Sequence, residues 1–214
     1  MVATAYKPLL EKYLSRTRTY TYKNIRLQIP PQVFHPGFFY STQMLLKYIS
    51  HISLQQKKVL ELGAGSGLIA IYAAQKGAYV TATDINTIAI EYMESNMQYN
   101  RVELSIIHSD LFHMLPQQTF DMIIINPPYY KKNPVTEADY AWYCGEQGEY
   151  FQQLFKNLND YIHSTSDILM TLCDECDLNM ITTFAAQYDF QMECIYTQRN
   201  LLEKNFIYKI QYTP

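Results

Sequence analysis

KKVLELGAGSG, residues 57–67, is the stretch that decides the fold. Its first six residues read as a strand. The glycines at 63, 65 and 67 then let the backbone turn tightly, with no Cβ to keep a ligand away. Ser66 to Gln75, rich in Ala and Ile and stopped by Gly77, reads as a helix that presents free N–H groups at its start. A dinucleotide fingerprint needs glycine at the first, third and sixth positions, and the sixth position here is Leu68. The GxGxG spacing fits a nucleoside ligand without a pyrophosphate to hold.

Working outward, strand and helix patterns alternate. YVTATD reads as a strand ending in Asp84, about twenty residues past the turn, where a carboxylate can accept both hydroxyls of a ribose. Thr87 to Tyr99 reads as a helix with Ile88, Tyr92 and Met93 at core spacing. LSIIHSD is a strand that brings Asp110 to the same sheet edge, and DMIII, residues 121–125, is another. Glu146 to Tyr161 is a helix with Phe151, Leu154, Phe155 and Leu158 on one face. DILMTL is a strand, Leu178 to Tyr188 a helix, and FQMECIYTQ and FIYKIQY are two closing strands with no helix between them. This alternation predicts an α/β fold: a mostly parallel seven-stranded sheet with one antiparallel strand and helices on both faces. Upstream, PLLEKYL is helix-like, Thr19 to Ile29 alternates as a strand or hairpin until Pro30 and Pro31, and Ser41 opens a helical TQMLLKYI. The division expected is an N-terminal extension, 1–40, and one domain, 41–214.

A chain of 214 residues can bury a full core, and 48% hydrophobic with 17% charged residues is a globular composition. No run of eighteen apolar residues suggests a membrane span, and MVATAYKPLLEKY lacks a secretory apolar core, so a cytoplasmic protein is expected. Cys173 and Cys176 form a CxxC without a second pair or a histidine pair at ligand spacing; they read as reduced, buried small hydrophobes, and no metal is expected. Charge is uneven. Residues 1–30 carry a net +5 and residues 133–198 a net −10. A basic arm suits phosphates or an acidic partner, or is simply solvated.

ELGAGSG, TATDIN, SDLF and NPPYY, in this order and spacing, resemble class I S-adenosylmethionine-dependent methyltransferases over about residues 33 to 212. The resemblance implies their Rossmann-like fold and S-adenosyl-L-methionine as cofactor. It implies that Glu61, Gly63, Ala64 and Gly65 line the methionine part, that Asp84 with Ile85 holds the ribose, and that Asp110 and Leu111 meet the adenine. The NPPY element narrows the likeness to enzymes that methylate planar amide or exocyclic amino nitrogens, with Asn126 beside the cofactor as well.

The INPPYY segment then makes chemical sense. Prolines cannot donate to a ladder, so the strand stops and leaves an amide and rings at its end. An amide or aniline-like nitrogen is a poor nucleophile because its lone pair is delocalised. The Asn126 side-chain oxygen and the Pro127 carbonyl can accept its two N–H bonds, Pro128 stiffens the turn, and Tyr129 stacks on the flat group. Among NPPY enzymes the chain looks most similar to the HemK-like protein glutamine methyltransferases, which modify release factors. AWYCGEQGEYFQQLF and Phe34-His35-Pro36-Gly37 with Thr42 carry that likeness. Ser41 replaces the acid of the family's acid-Thr pair, and the N-terminal substrate domain of the bacterial members is absent from this sequence. The favoured partner is therefore a macromolecular, release-factor-like protein. An RNA or DNA adenine-N6 methyltransferase is the alternative, with Phe38, Phe39 or Tyr129 stacking on an unstacked base. A catalytically silent cofactor-binding subunit is the third reading, although it has no need of the clamp. His35 and His108 read as packed residues, and Trp142 with Lys131 and Lys132 flanks the acceptor groove.

Overall fold

The computed structural model describes residues 14–38, 40–199 and 203–213. Most of the helix-like start PLLEKYL, and Phe39, lie outside the described residues. The first elements are a hairpin of β1 (Arg18–Tyr22) and β2 (Ile25–Ile29), joined through Lys23 and Asn24. β2 alternates as the sequence demands: Ile25, Leu27 and Ile29 are buried, while Arg26 and Gln28 face out.

α1 (Tyr40–Ile49) leads into the repeating part: β3 (Lys58–Leu62), α2 (Leu68–Gln75), β4 (Tyr79–Asp84), α3 (Thr87–Asn100), β5 (Ser105–His108), β6 (Met122–Ile125), α4 (Glu149–Leu158), β7 (Asp167–Cys173), α5 (Leu178–Gln187), β8 (Phe190–Arg199) and β9 (Lys204–Tyr212). The sheet order is β5-β4-β3-β6-β7-β9-β8, and β9 runs antiparallel to both neighbours. The expected seven strands and single reversed strand are present. Two apolar layers flank the sheet. Met122 and Ile124 point to one with α1, α2 and α3, while Ile123 and Ile125 point to the other with α4 and α5.

Three boundaries differ from the sequence reading, each for a local reason. α2 begins at Leu68 because Gly67 is left-handed, with φ 77°. α4 begins at Glu149 because Gly148 is left-handed too, and its last expected turn is a 3₁₀ turn, Asn159–Tyr161. In α3 the buried stripe is Ala89, Met93 and Asn96, with Ile88 and Tyr92 only half-buried.

Asn96 explains how the hairpin is seated. Its Oδ1 accepts the Gln28 N–H at 2.7 Å, and its Nδ2 donates to the carbonyls of Gln28 and Ser66, both at 3.1 Å. One turn on, Asn100 does the same for the N–H and carbonyl of Arg26. Two side-chain amides thus stand in for a third strand along the outer edge of β2, satisfying groups that would otherwise be orphaned. Asn96 is 1% exposed, so its loss strands a buried carbonyl beside the glycine turn. Asn96→Ala is expected to cost about 2–3 kcal/mol in urea unfolding, and Asn100→Ala, at the more open end, clearly less. Equal, small losses for both would show that the amides do not seat the hairpin.

Candidate active site

The carboxyl ends of β3, β4, β6 and β7 open onto one cavity, whose lining includes Glu61, Gly63, Ala64, Gly65, Asp84, Ile85, Asp110, Leu111, Asn126, Pro127, Pro128 and Tyr129. These cofactor and clamp residues expected from the sequence therefore meet the same space, whereas Phe38, Lys131 and Lys132 are not on its lining. The location is where open α/β sheets bind ligands.

At the glycine turn, Glu61 is buried and its Oε2 accepts the Ala70 N–H at 2.7 Å. Burial raises its pKa from 4.5 to about 8, with the neighbouring Asp84 charge acting in the same direction and the Ala70 bond opposing both. Asp84 is spread over two backbone donors: Oδ2 takes the Gly65 N–H at 2.7 Å and Oδ1 the Asn86 N–H at 2.9 Å. Burial raises its pKa as well, against those hydrogen bonds. An ionised carboxylate has about four lone-pair sites, so some capacity remains for a ligand. Gly63 has φ 68°, and a Cβ built there would meet nothing within 4 Å: the space above the turn is open. Gly67 is closed instead, since a Cβ would lie 2.7 Å from Met93 Cγ.

The clamp end is set by strand register. Ile125 of β6 pairs with Met170 of β7, so the next residues along, Asn126 and Thr171, are neighbours. Thr171, 1% exposed, donates its hydroxyl to Asn126 Oδ1 at 2.7 Å. That bond fixes which way the amide points and leaves Oδ1 a second lone pair. Pro127 and Pro128 are buried. Tyr129 packs against Tyr130 with centroids 4.6 Å apart, and burial raises its phenol pKa, so the ring stays neutral. Tyr130 donates to Glu175 Oε2 at 2.7 Å.

A segment after the motif roofs the cavity. The 3₁₀ turn Glu137–Ala141 carries Glu137, whose Oε2 accepts both the N–H and the hydroxyl of Thr87 at the start of α3. Trp142 packs on Phe34, centroids 5.4 Å apart. Thr171, Glu137 and Tyr150, all on the lining, were not singled out in the sequence. Thr171 had a signal: a lone hydroxyl in the apolar run DILMTLC, one register step from the Asn126 position. Glu137, fifty residues from Thr87, had none.

The histidines divide. His35 is packed as expected: its Nδ1 accepts the Gly37 N–H, its ring meets Phe38, and burial lowers its pKa. His108 is instead exposed, with Nε2 2.8 Å from the Ile85 carbonyl, because β5 is the sheet edge. Lys131 pairs with Asp177, and Lys132 lies over the Tyr143 ring. Cys173 and Cys176 are buried free thiols with Sγ atoms 3.8 Å apart. Among the described residues no group of three His, Cys, Asp or Glu side chains is placed to hold a metal, and no helix is long and apolar enough to cross a membrane.

Residues 24–143 match the family model of the methyltransferase small domain. A putative protein N5-glutamine methyltransferase of Methanocaldococcus jannaschii is 33% identical over 146 residues, 65% of this chain and 72% of its own length. A tRNA1(Val) (adenine(37)-N6)-methyltransferase of a Flavobacteriaceae bacterium is 30% identical over 195 residues, 89% of this chain and 78% of its own. In fold, the crystal structure of a methyltransferase from Pyrococcus furiosus superposes with a TM-score of 0.66, covering 99% of both chains at 19% identity.

The raised Glu61 has a consequence for stability. Between its usual pKa of 4.5 and about 8, the folded chain keeps a proton that the unfolded chain has released, so this contribution to stability falls as pH rises through that window. Glu61→Gln removes the effect. Calorimetric melting of the ligand-free protein is expected to give the Gln variant a higher midpoint at pH 8, with the difference shrinking towards pH 5. Curves that fall in parallel would place the Glu61 carboxyl in a wetter setting than its burial implies.

Proposed function

The chain belongs to the methyltransferase small-domain family and is an S-adenosylmethionine-dependent methyltransferase, and from that premise we propose that it methylates the side-chain amide nitrogen of a protein glutamine held by Asn126 and Pro127. The observation that carries the reading is the Thr171–Asn126 bond. A hydroxyl that spends its proton on Oδ1 turns the amide oxygen, not its NH₂, into a fixed acceptor for an incoming N–H.

The cavity fits the cofactor. Open space over Gly63 takes the methionine part, Glu61 faces its ammonium, and Ala64 and Gly65 border it. The remaining lone-pair capacity of Asp84 suits ribose hydroxyls, while Ile85 and Leu111 would flank the adenine and Asp110 would meet its amino group. When bound, S-adenosylmethionine would supply an electrophilic sulfonium methyl and leave as S-adenosylhomocysteine, and the acceptor nitrogen would give up one proton to water for the methyl it gains. This chain's part is positioning. Asn126 Oδ1 and the Pro127 carbonyl hold the two N–H bonds, the buried prolines fix both acceptor directions, and Tyr129 covers the flat group. Orientation of this kind is worth up to about 7–11 kcal/mol of a barrier.

The rim favours a protein acceptor. Glu137 and Glu203 line the cavity, Glu175 holds Tyr130, and the Lys131 ammonium is paired to Asp177. Such a mouth repels phosphates and admits a neutral amide. A second reading, adenine N6, is supported by the Flavobacteriaceae relative, whose match takes in most of this chain and whose acceptor is also a conjugated –NH₂.

Two measurements decide. Asn126→Ala is expected to lower kcat by about 10²–10³-fold while S-adenosylhomocysteine still raises the melting point as in the parent; unchanged turnover would remove Asn126 from the clamp. Thr171→Val should lower kcat less, since it frees the amide without deleting it. For the acceptor, cell extract is incubated with the enzyme and radiolabelled cofactor and then digested. Label released by protease as N5-methylglutamine supports the proposal. Label that survives protease and is lost to ribonuclease overturns it in favour of the adenine reading.

A further inference from the structure

At the opposite, amino edge of the sheet, a second groove runs between the hairpin turn, the ends of α2 and α3 and the starts of β3 and β4. Four exposed cations line it: Lys23, Lys58, Lys76 and Arg101, against a single acid, Glu103. None of the four forms a salt bridge with a carboxylate among the described residues. Two of them share one ring. The Lys23 and Lys76 ammoniums lie 5.6 and 5.7 Å from the centroid of Tyr72, whose side chain is otherwise buried. Tyr79, also on the groove, is 67% exposed.

Such a concentration of unpaired cations in a chain of net charge −3 costs self-repulsion. The backbone adds to that cost. Lys23 has φ 52° at the hairpin turn and Arg101 has φ 54° just past the end of α3. Both are left-handed positions, where glycine or asparagine is the unstrained choice. Two independent elements therefore hold a long cation in a disfavoured conformation on the lip of the same groove, which the exposed Tyr79 at the start of β4 also lines. Strained residues gathered at one place are a reason to look for a ligand there.

We propose that this groove is an RNA-docking surface, in which the four cations track the phosphates of a single strand and Tyr79 offers a face for a base to stack on. Basic grooves with interleaved aromatic rings bind single strands in this way, without reading sequence. The docking site is separate from the clamp: Lys58 opens β3 and Glu61 stands near its other end, so the strand length lies between them. The surface holds the enzyme to an RNA or an RNA-containing assembly while the carboxyl edge works on its acceptor. The inference does not depend on whether that acceptor is glutamine or adenine.

The test is fluorescence anisotropy with a labelled, mixed-sequence single-stranded RNA, using the full chain. Four phosphate contacts on a single strand predict a log–log salt slope of about −3, which is roughly a fiftyfold loss of affinity between about 50 and 200 mM salt. Lys58→Glu with Lys76→Glu is expected to weaken binding by tenfold or more, with S-adenosylhomocysteine binding unchanged. Lys23→Gly with Arg101→Gly separates docking from folding. Glycine relieves both left-handed residues, so this variant should melt no lower than the parent and still bind RNA at least fivefold more weakly. Parental affinity in either variant, a slope near zero, or equal affinity for labelled polyglutamate would overturn the proposal.

Discussion

The site depends on a strand that must stop. Met122 to Ile125 is fully buried on both faces and laddered to β3 and β7 at both edges, so β6 is held in the middle of the sheet, and Pro127 and Pro128 then supply no N–H to continue the ladder. The chain has to leave at the carboxyl edge, and the last side chain before it leaves is an amide. What fixes the amide at the end of this strand is the neighbouring register. β7 runs on past the point where β6 ends, and its single hydroxyl, Thr171, lies where Asn126 Oδ1 can be held. Without that parallel pairing the same four motif residues would be a loop with a rotating amide.

The cofactor end works by a different economy. Glu61 and Asp84 are two acids brought together in an apolar setting, which raises both pKa values and disfavours the empty folded state above their titration. Backbone donors offset part of this: Ala70 at the start of a helix for Glu61, Gly65 and Asn86 for Asp84. A cationic ligand bound there would recover the rest, because its charge would stabilise the ionised carboxyl that burial had opposed. The roof formed by Glu137 has the opposite balance, since its carboxylate lies exposed at the amino end of α3, where an anion is welcome, and costs little to hold.

Much of this is legible in the sequence. The glycine turn, Asp84, Asp110 and the NPPY element announce their place because strand ends in a parallel sheet all face one edge, so spacing along the chain maps directly onto position in space. Local chemistry fixed by one residue was harder to see at the boundaries: Gly67 and Gly148 delay two helices by adopting left-handed conformations that hydrophobic period does not register. Least legible were contacts between distant segments. The Asn96 and Asn100 amides that complete β2, and Glu137 reaching Thr87, arise from how elements dock, and an asparagine in a helix or a glutamate in a polar loop carries no mark of it in sequence.

The uneven charge of the sequence acquires a geometry in the fold. Glu137 and Glu203 line the mouth at the carboxyl edge, whereas Lys23, from the basic N-terminal part, joins Lys58, Lys76 and Arg101 at the amino edge. β3 spans the distance between them in five residues, on the order of 15 Å at about 3.3 Å each. At physiological salt the Debye length is about 8 Å. The two edges are therefore nearly two screening lengths apart, and neither cancels the other's field. A weakly acidic pI averages over such local differences, which is why the whole-chain value says little about either surface.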